Sequence, residues 1–237
     1  MSEHVNHLGQ PMSFAVPNWS ERLPPPRTAM QGRFCRVVSL EPERHAAALY
    51  AANRKDEEGR MWSYLSYGPF SSFEDYLAKM NEWLKEDWHI HAIIHETSGL
   101  AAGVASYMRI EPEAGSIEVG AIMYSPCLQR TTAGTEAMYL MMKRAFDELG
   151  YRRYEWRCNS LNEASINAAK RLGFQLEGIL RQANVLKGHN RDTAWFSIVD
   201  REWPQIRAAF EAWLAPDNFD STGRQRRTLT QIRSQHP

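Results

Sequence analysis

Ile117-Glu118-Val119-Gly120-Ala121-Ile122-Met123-Tyr124, a loop entered through Ser125 and Pro126, and Thr135-Glu136-Ala137 opening a long helical pattern form the stretch on which the fold turns. Nine residues from Ser116 to Tyr124 read as a strand. From Thr135 to Leu149 the period changes, and Ala137, Leu140, Met141, Ala145, Phe146 and Leu149 share one helical face, with Gly150 as a stop. A strand feeding a helix through a short polar loop leaves free N–H groups at the helix start. Those groups and the helix dipole suit a phosphate or diphosphate. The same pattern also describes a capped helix with no ligand.

Downstream, Tyr151 to Cys158 reads as a strand and Asn162 to Leu172 as a helix ended by Gly173. Phe174 to Val185 and Thr193 to Val199 read as two further strands, and Arg201 to Leu214 as a closing helix. Upstream, Trp88 to His95 and Leu100 to Ile110 read as strands joined by the hairpin turn Glu96-Thr97-Ser98-Gly99. A second turn, Glu111-Pro112-Glu113-Ala114-Gly115, leads into Ser116. Arg33 to Leu40 reads as the first strand and Glu43 to Asn53 as the first helix. Ser71 with Glu74 is a capping-box signal for a second helix to about residue 86, with Tyr76, Met80 and Trp83 at helical spacing. This order predicts one α/β (α+β) domain over residues 31–215, with a mixed, mostly antiparallel sheet and helices on both faces.

Residues 1–30 read as an arm, partly extended because of Leu23-Pro24-Pro25-Pro26, with Trp19 available to pin it. Residues 216–237 are polar and rich in Arg, Gln, Ser and Thr, and are expected to fray as a flexible tail.

The stretch Asn162-Glu163-Ala164-Ser165 followed by Gly173-Phe174-Gln175-Leu176-Glu177-Gly178 resembles the Asn-x-x-Ser…Gly-Phe…Glu-Gly signature of the Rim-type GNAT acetyltransferases. That group modifies ribosomal-protein N-termini, alanine included, and assorted small amines. Ile117 to Ala137 resembles the same family's strand, coenzyme loop and Thr-Glu-Ala helix start, and Asp192 to Ile198 resembles its closing strand. The similarity runs from about Arg33 to Trp203.

The resemblance implies a GNAT fold whose sheet splays between its fourth strand, Ser116 to Tyr124, and its fifth, Arg153 to Cys158, with acetyl-CoA in the splay. Backbone groups near Ile122 and Met123 would pair with the pantetheine arm. Gln129, Arg130, Thr131, Thr132, Ala133 and Gly134, ahead of Thr135, would hold the diphosphate. Asn162 and Ser165 would approach the pantetheine and the thioester sulfur. Arg130 and Thr132 stand where family glycines commonly sit. Glycine lets backbone approach phosphate closely. Here the Arg130 guanidinium and the Thr131 and Thr132 hydroxyls are expected to contact phosphate themselves, or else to weaken coenzyme binding.

The expected activity is acetyl transfer from acetyl-CoA to a primary amine within a ternary complex. The amine must lose a proton before it attacks. Glu118 is the candidate base, acting through water, and its other reading is a structural strand residue. Ser165 is the candidate acid, or else a helix-start hydrogen bond. The tyrosine many GNAT enzymes place four residues before the Gly-Phe glycine is replaced by Ala169. A backbone N–H near Met123 is the candidate oxyanion donor. The connection Arg60 to Phe70 is dense in aromatics, so Trp62, Tyr64 and Phe70, with Trp195, are candidates for an acceptor wall; the same residues also fit core packing. That wall favours a small or nucleotide-like amine over a protein N-terminus. The alternative is a GNAT module that binds acyl-CoA without turnover.

The composition sets limits on partners. Lys plus Arg and Asp plus Glu are 28 each, so net charge gives no reason to expect a polyanion partner. The arginines at 224, 226, 227 and 233 lack an aromatic platform for nucleic acid. Cys35, Cys127 and Cys158 show no metal or redox spacing, which fits a reducing, cytoplasmic setting. His89 and His91 share a strand face without an evident third ligand, so no metal is expected. No apolar run approaches the roughly 18 residues a membrane span needs. Acceptor identity and oligomeric state, a homodimer included, are left open.

Overall fold

A computed structural model describes residues 4–235 of the chain. Residues 1–3 of the expected arm and residues 236–237 of the expected tail lie outside the described residues.

The chain begins with a short hairpin, β1 (His4–Val5) and β2 (Pro11–Met12). After an extended run come β3 (Met30–Gln31), β4 (Cys35–Ser39), helix α1 (Pro42–Asn53) and helix α2 (Phe73–Trp83). Three long strands follow, β5 (His89–His95), β6 (Ala101–Glu111) and β7 (Ser116–Tyr124). Helix α3 (Thr132–Lys143) leads through a π-helical turn at Arg144–Glu148 to β8 (Arg153–Asn159). Helix α4 (Glu163–Leu172), the hairpin β9 (Gln175–Leu186) and β10 (His189–Val199), α5 (Trp203–Leu214) and a short α6 (Leu229–Ser234) complete it.

Eight strands form one sheet in the order β3-β4-β5-β6-β7-β8-β10-β9. Every neighbouring pair is antiparallel except β7 and β8, which run parallel. Their pairing covers Ser116 to Val119 against Arg153 to Trp156 and then stops. The cause lies on the other side of β7. Val104 pairs with Met123 and Ser106 with Gly120, so Ala121 and Ile122 together oppose Ala105. Ala121 takes a positive φ of 46°. Such a bulge bends its strand and increases the local twist, which turns β7 away from β8. The sheet is therefore mixed and mostly antiparallel, and parted at the expected place.

α1 and α2 cover β4 to β6 on one face through Leu49, Tyr76, Met80, Trp83, Ile90 and Val104. On the other face Met141, Phe146 and Phe210 pack with Tyr107, Ile117 and Tyr154. α2 is capped by Ser72, whose side chain accepts from the Asp75 amide, one residue later than the sequence-derived box at Ser71 and Glu74. α4 begins at its Asn162 cap and ends at Gly173, whose φ of 111° is open to glycine.

The arm is fastened mainly by polar contacts. Trp19 Nε1 donates to the Glu113 carbonyl at 2.8 Å, and its indole lies where a side chain at Gly115 would stand. Tyr151 donates to the Leu23 carbonyl, and Arg144 to the carbonyls of Thr28 and Ala29.

Residues 216–235 include a packed helix, α6, in the segment whose composition predicts a flexible tail. Leu229 and Ile232, three apart on α6, are fully buried. Thr228 and Gln231 form a reciprocal capping box, and Arg233 donates to the carbonyls of Lys170 and Arg171 at the end of α4. Two anchored apolar side chains and a capped helix offset the ordering entropy that the polar composition emphasised.

Candidate active site

Where β7 and β8 part, a cleft of about 940 Å³ opens. Its walls come from the α1–α2 connection, β7, β8, the start of α4 and the β9–β10 hairpin. In the ladder with β6, alternate residues of β7 turn their N–H and C=O groups toward the β8 side. Beyond Val119 no strand receives them, so the backbone around Ile122 and Met123 presents free hydrogen-bonding groups to the cleft.

At one end stands the start of α3. The helix begins at Thr132, three residues before the expected Thr135, because Thr131 is its cap. Thr131 Oγ1 accepts from the Gly134 amide at 3.0 Å and donates to the Leu128 carbonyl at 2.7 Å. That hydroxyl has no proton left for a phosphate, which corrects the expectation for Thr131. The amides of Thr132 and Ala133 are first-turn donors without a partner among the described residues. Arg130 holds a φ of 59°, the left-handed conformation a glycine would supply, and its side chain is exposed. A side chain on Gly134 would meet the Leu128 carbonyl at 2.7 Å and the Tyr124 ring at 3.0 Å. Thr135 Oγ1 accepts from Arg171 at 3.1 Å and donates to the Thr131 carbonyl, so it serves the helix. Gln129 lines the cleft, and residues 130–135, the notch at the α3 start, follow it in the chain outside that lining.

Behind the notch, the buried Glu136 carboxylate accepts from the amides of Arg33, Phe34 and Cys35 at 2.6–2.9 Å. Burial and that carboxylate push the Cys35 thiol far up, so it stays protonated.

Glu118 lies on the sheet face away from α3, buried, with Oε1 2.7 Å from Arg109 and Oε2 2.9 Å from Arg157. The Arg157 contact is a charge contact whose Nε–H is not aligned for a hydrogen bond. Burial pushes the Glu118 pKa up, against the pull of both guanidiniums. Arg157 also donates to Glu155 at 2.7 Å, and its guanidinium carbon lies 3.4 Å from the centre of the Trp195 ring. Trp195 therefore supports Arg157 and does not line the cleft, unlike the expected acceptor wall.

Ser165 and Asn162 both line the cleft from the start of α4. Asn162 Oδ1 accepts from the Ser165 amide, and Ser165 Oγ accepts from Trp156 Nε1 at 3.0 Å. With its oxygen held by the indole, the Ser165 hydroxyl keeps its own proton to donate.

The aromatic connection divides. Tyr64 lines the cleft and donates to the Leu161 carbonyl at 3.0 Å, bridging the connection to the loop before α4. Trp62 and Phe70 pack edge to face and line a separate cavity of about 410 Å³ instead, a second departure from the expected wall. Lys187, at the β9–β10 turn, donates to the carbonyls of Trp62 and Gly68 and ties the hairpin across to this connection.

Arg109, Arg157, Asn159, Arg191 and Thr193 line the cleft and were not singled out from sequence. Arg109 comes from β6, Arg157 and Asn159 from β8, and Arg191 and Thr193 from β10, and only the fold brings them to one face. Among the described residues no three His, Cys, Asp or Glu side chains gather as a metal site, and no helix is long and apolar enough to cross a membrane.

An acetyltransferase (GNAT) domain model matches residues 36–175. A GCN5-related N-acetyltransferase structure from Brucella melitensis is 42% identical, covering 92% of this chain and all of that one, at a TM-score of 0.90. A probable GNAT-family acetyltransferase from Chromobacterium violaceum is 39% identical over 82% of this chain and 97% of its own, at a TM-score of 0.76. The microcin C7 self-immunity acetyltransferase MccE, solved with acetyl-CoA and AMP, shares the fold at 21% identity and a TM-score of 0.62, over 71% of this chain and 93% of its own. No curated protein matches the chain in sequence.

Proposed function

The chain belongs to the acetyltransferase (GNAT) family, and from that premise we propose that it is a cytoplasmic enzyme moving an acetyl group from acetyl-CoA to a primary amine within a ternary complex. The observation that carries this reading is the break in β7–β8 pairing after Val119 and Trp156, beside the uncapped amides of Thr132 and Ala133.

In this reading the free backbone edge around Ile122 and Met123 hydrogen-bonds the pantetheine amides. The α3 start takes the diphosphate, with the exposed Arg130 as a flanking cation and Gln129 on the cleft wall. Asn162 and Ser165 face the thioester. Glu118, ionised, draws a proton from the amine through water, and Arg109 and Arg157 hold it in place. A β7 amide near Met123 receives the charge that develops on the carbonyl oxygen. The thiolate leaves and takes the Ser165 proton or one from water. Tyr64 flanks the acceptor, which favours a small amine over a protein N-terminus. The Asn162-x-x-Ser165…Gly173-Phe174 block supports placement near the Rim-type group.

A second reading, acyl-CoA binding without turnover, draws on Arg130, on the committed Thr131 hydroxyl and on Ala169. A thermal-shift titration followed by a thiol-release screen over amino acids, polyamines, aminoacyl-nucleotides and short peptides separates the two. The enzyme reading expects stabilisation by acetyl-CoA and release with at least one amine. No stabilisation defeats both readings, and stabilisation without release leaves the binding module.

A further inference from the structure

Three alternate residues of β10 each hold a buried polar atom that, among the described residues, no protein group satisfies: Arg191 Nε, Thr193 Oγ1 and Trp195 Nε1. Alternation on a strand puts them on one face. The register places that face beside Arg157 and Asn159 of β8, because Trp195 pairs with Arg157 and Thr193 with Asn159. Arg157 reaches Glu118, so the column lies on the acceptor side of the sheet. Arg191 and Thr193 line the cleft itself, and Thr193 is 95% buried, with a relative exposure of 5%. Buried polar atoms are nearly always hydrogen-bonded, so the two that line the cleft, Arg191 Nε and Thr193 Oγ1, call for a partner there, whereas Trp195 Nε1 lies outside the cleft lining.

Both cleft-lining groups are able to donate a hydrogen bond, and a guanidinium can only donate. The cleft lining holds four arginines, Arg60, Arg109, Arg157 and Arg191, against two acids, Asp56 and Glu118. Glu118 takes up Arg109 and Arg157, and Glu58 takes up Arg60. Among the described residues no carboxylate lies within ion-pair distance of Arg191. Its neighbour Asp192 is committed elsewhere, accepting from the Gln182 amide and from Asn190. A cation without a carboxylate, beside an unused hydroxyl donor, matches an oxyanion, a carboxylate or a phosphate.

We infer that the acetyl acceptor is an amine that also carries an oxyanion, seated on Arg191 and Thr193 so that its amino group points toward Glu118. This rests on the transferase reading and narrows its substrate class.

The test uses matched pairs, tyrosine against tyramine for a carboxylate and O-phosphoethanolamine against ethanolamine for a phosphate. Binding to the CoA-saturated full-length protein is measured by calorimetry, and acetyl transfer by thiol release, for wild type and Arg191→Gln. In at least one pair the oxyanion-bearing member is expected to bind and react about tenfold or more better, as loss of a charged hydrogen bond implies. The pair that discriminates names the oxyanion. Arg191→Gln should bring that ratio close to one while the KM for acetyl-CoA stays put. Equal behaviour within both pairs, binding of none of the four, or a variant whose only change is a raised acetyl-CoA KM, overturns the inference. Discrimination in binding without thiol release keeps the oxyanion seat on Arg191 and Thr193 and removes the transferase reading.

Discussion

The two ends of the cleft are built on opposite principles. The α3 notch is made of backbone: the amides of Thr132 and Ala133, a left-handed turn at Arg130 and a glycine at 134 packed against the Leu128 carbonyl. The acceptor face is made of side chains: Glu118 between Arg109 and Arg157, Trp195 beneath Arg157, and Arg191 beside them without a carboxylate. A backbone site tolerates changes of residue type as long as the dihedrals survive, which is why Arg130 can stand where a glycine is usual. A side-chain charge network has less tolerance, because the buried Glu118 carboxylate depends on both guanidiniums.

That contrast breaks most visibly at Glu118. Glu118→Gln should lower kcat by about a hundredfold or more, the usual contribution of a positioned base, while the thermal shift with CoA persists. Burial raises the Glu118 pKa, so the acid limb of wild-type kcat/KM should lie above the 4.5 of an exposed glutamate and disappear in the variant. An unchanged kcat would reduce Glu118 to a bridge between two arginines. Next in size is Gly134→Val. Its Cβ would sit 2.7 Å from the Leu128 carbonyl, so the helix start must shift. Overpacking of this kind costs about 1–3 kcal/mol. The variant should show a lower Tm and an acetyl-CoA KM raised about tenfold, with kcat less affected. Normal coenzyme affinity would mean that the phosphates sit elsewhere. The smallest effect is expected at Arg130→Gly. Removing a non-glycine residue from the left-handed region should stabilise the fold by about 1 kcal/mol. Losing an exposed cation should raise the acetyl-CoA KM only about two- to fivefold. A larger rise would make the notch a side-chain site after all.

The sheet was largely legible because its signals are local. Ser116 to Tyr124 alternates, Gly173 ends a helix, and the turns before and after β6 carry Gly and Pro. The α3 start was misplaced by three residues because Thr131, the true cap, precedes a Thr-Ala-Gly-Thr run in which several residues could serve. α6 escaped because a short helix shows only two apolar positions, although Thr228 and Gln231 spell its capping box. Within the site, Glu118, Asn162 and Ser165 stand in recognisable patterns and all line the cleft. Arg109, Arg157 and Arg191 come from three strands far apart in sequence, and nothing local distinguishes them from solvated arginines. Trp62 and Phe70 went the other way: aromatic density said that they pack, but not on which side of the connection they would do so.

Glu136 gives the notch a mechanical property. Its carboxylate accepts from three consecutive amides at the entry to β4, one turn after the unpartnered first-turn amides of α3. The helix cannot rock without tearing those bonds from a buried charge. The entropy of fixing the notch is therefore lost once, during folding, and an arriving diphosphate meets a seat already in shape. Coenzyme association at that end should resemble docking onto a rigid surface, with the slower rearrangements confined to the hairpin that Lys187 fastens on the far side.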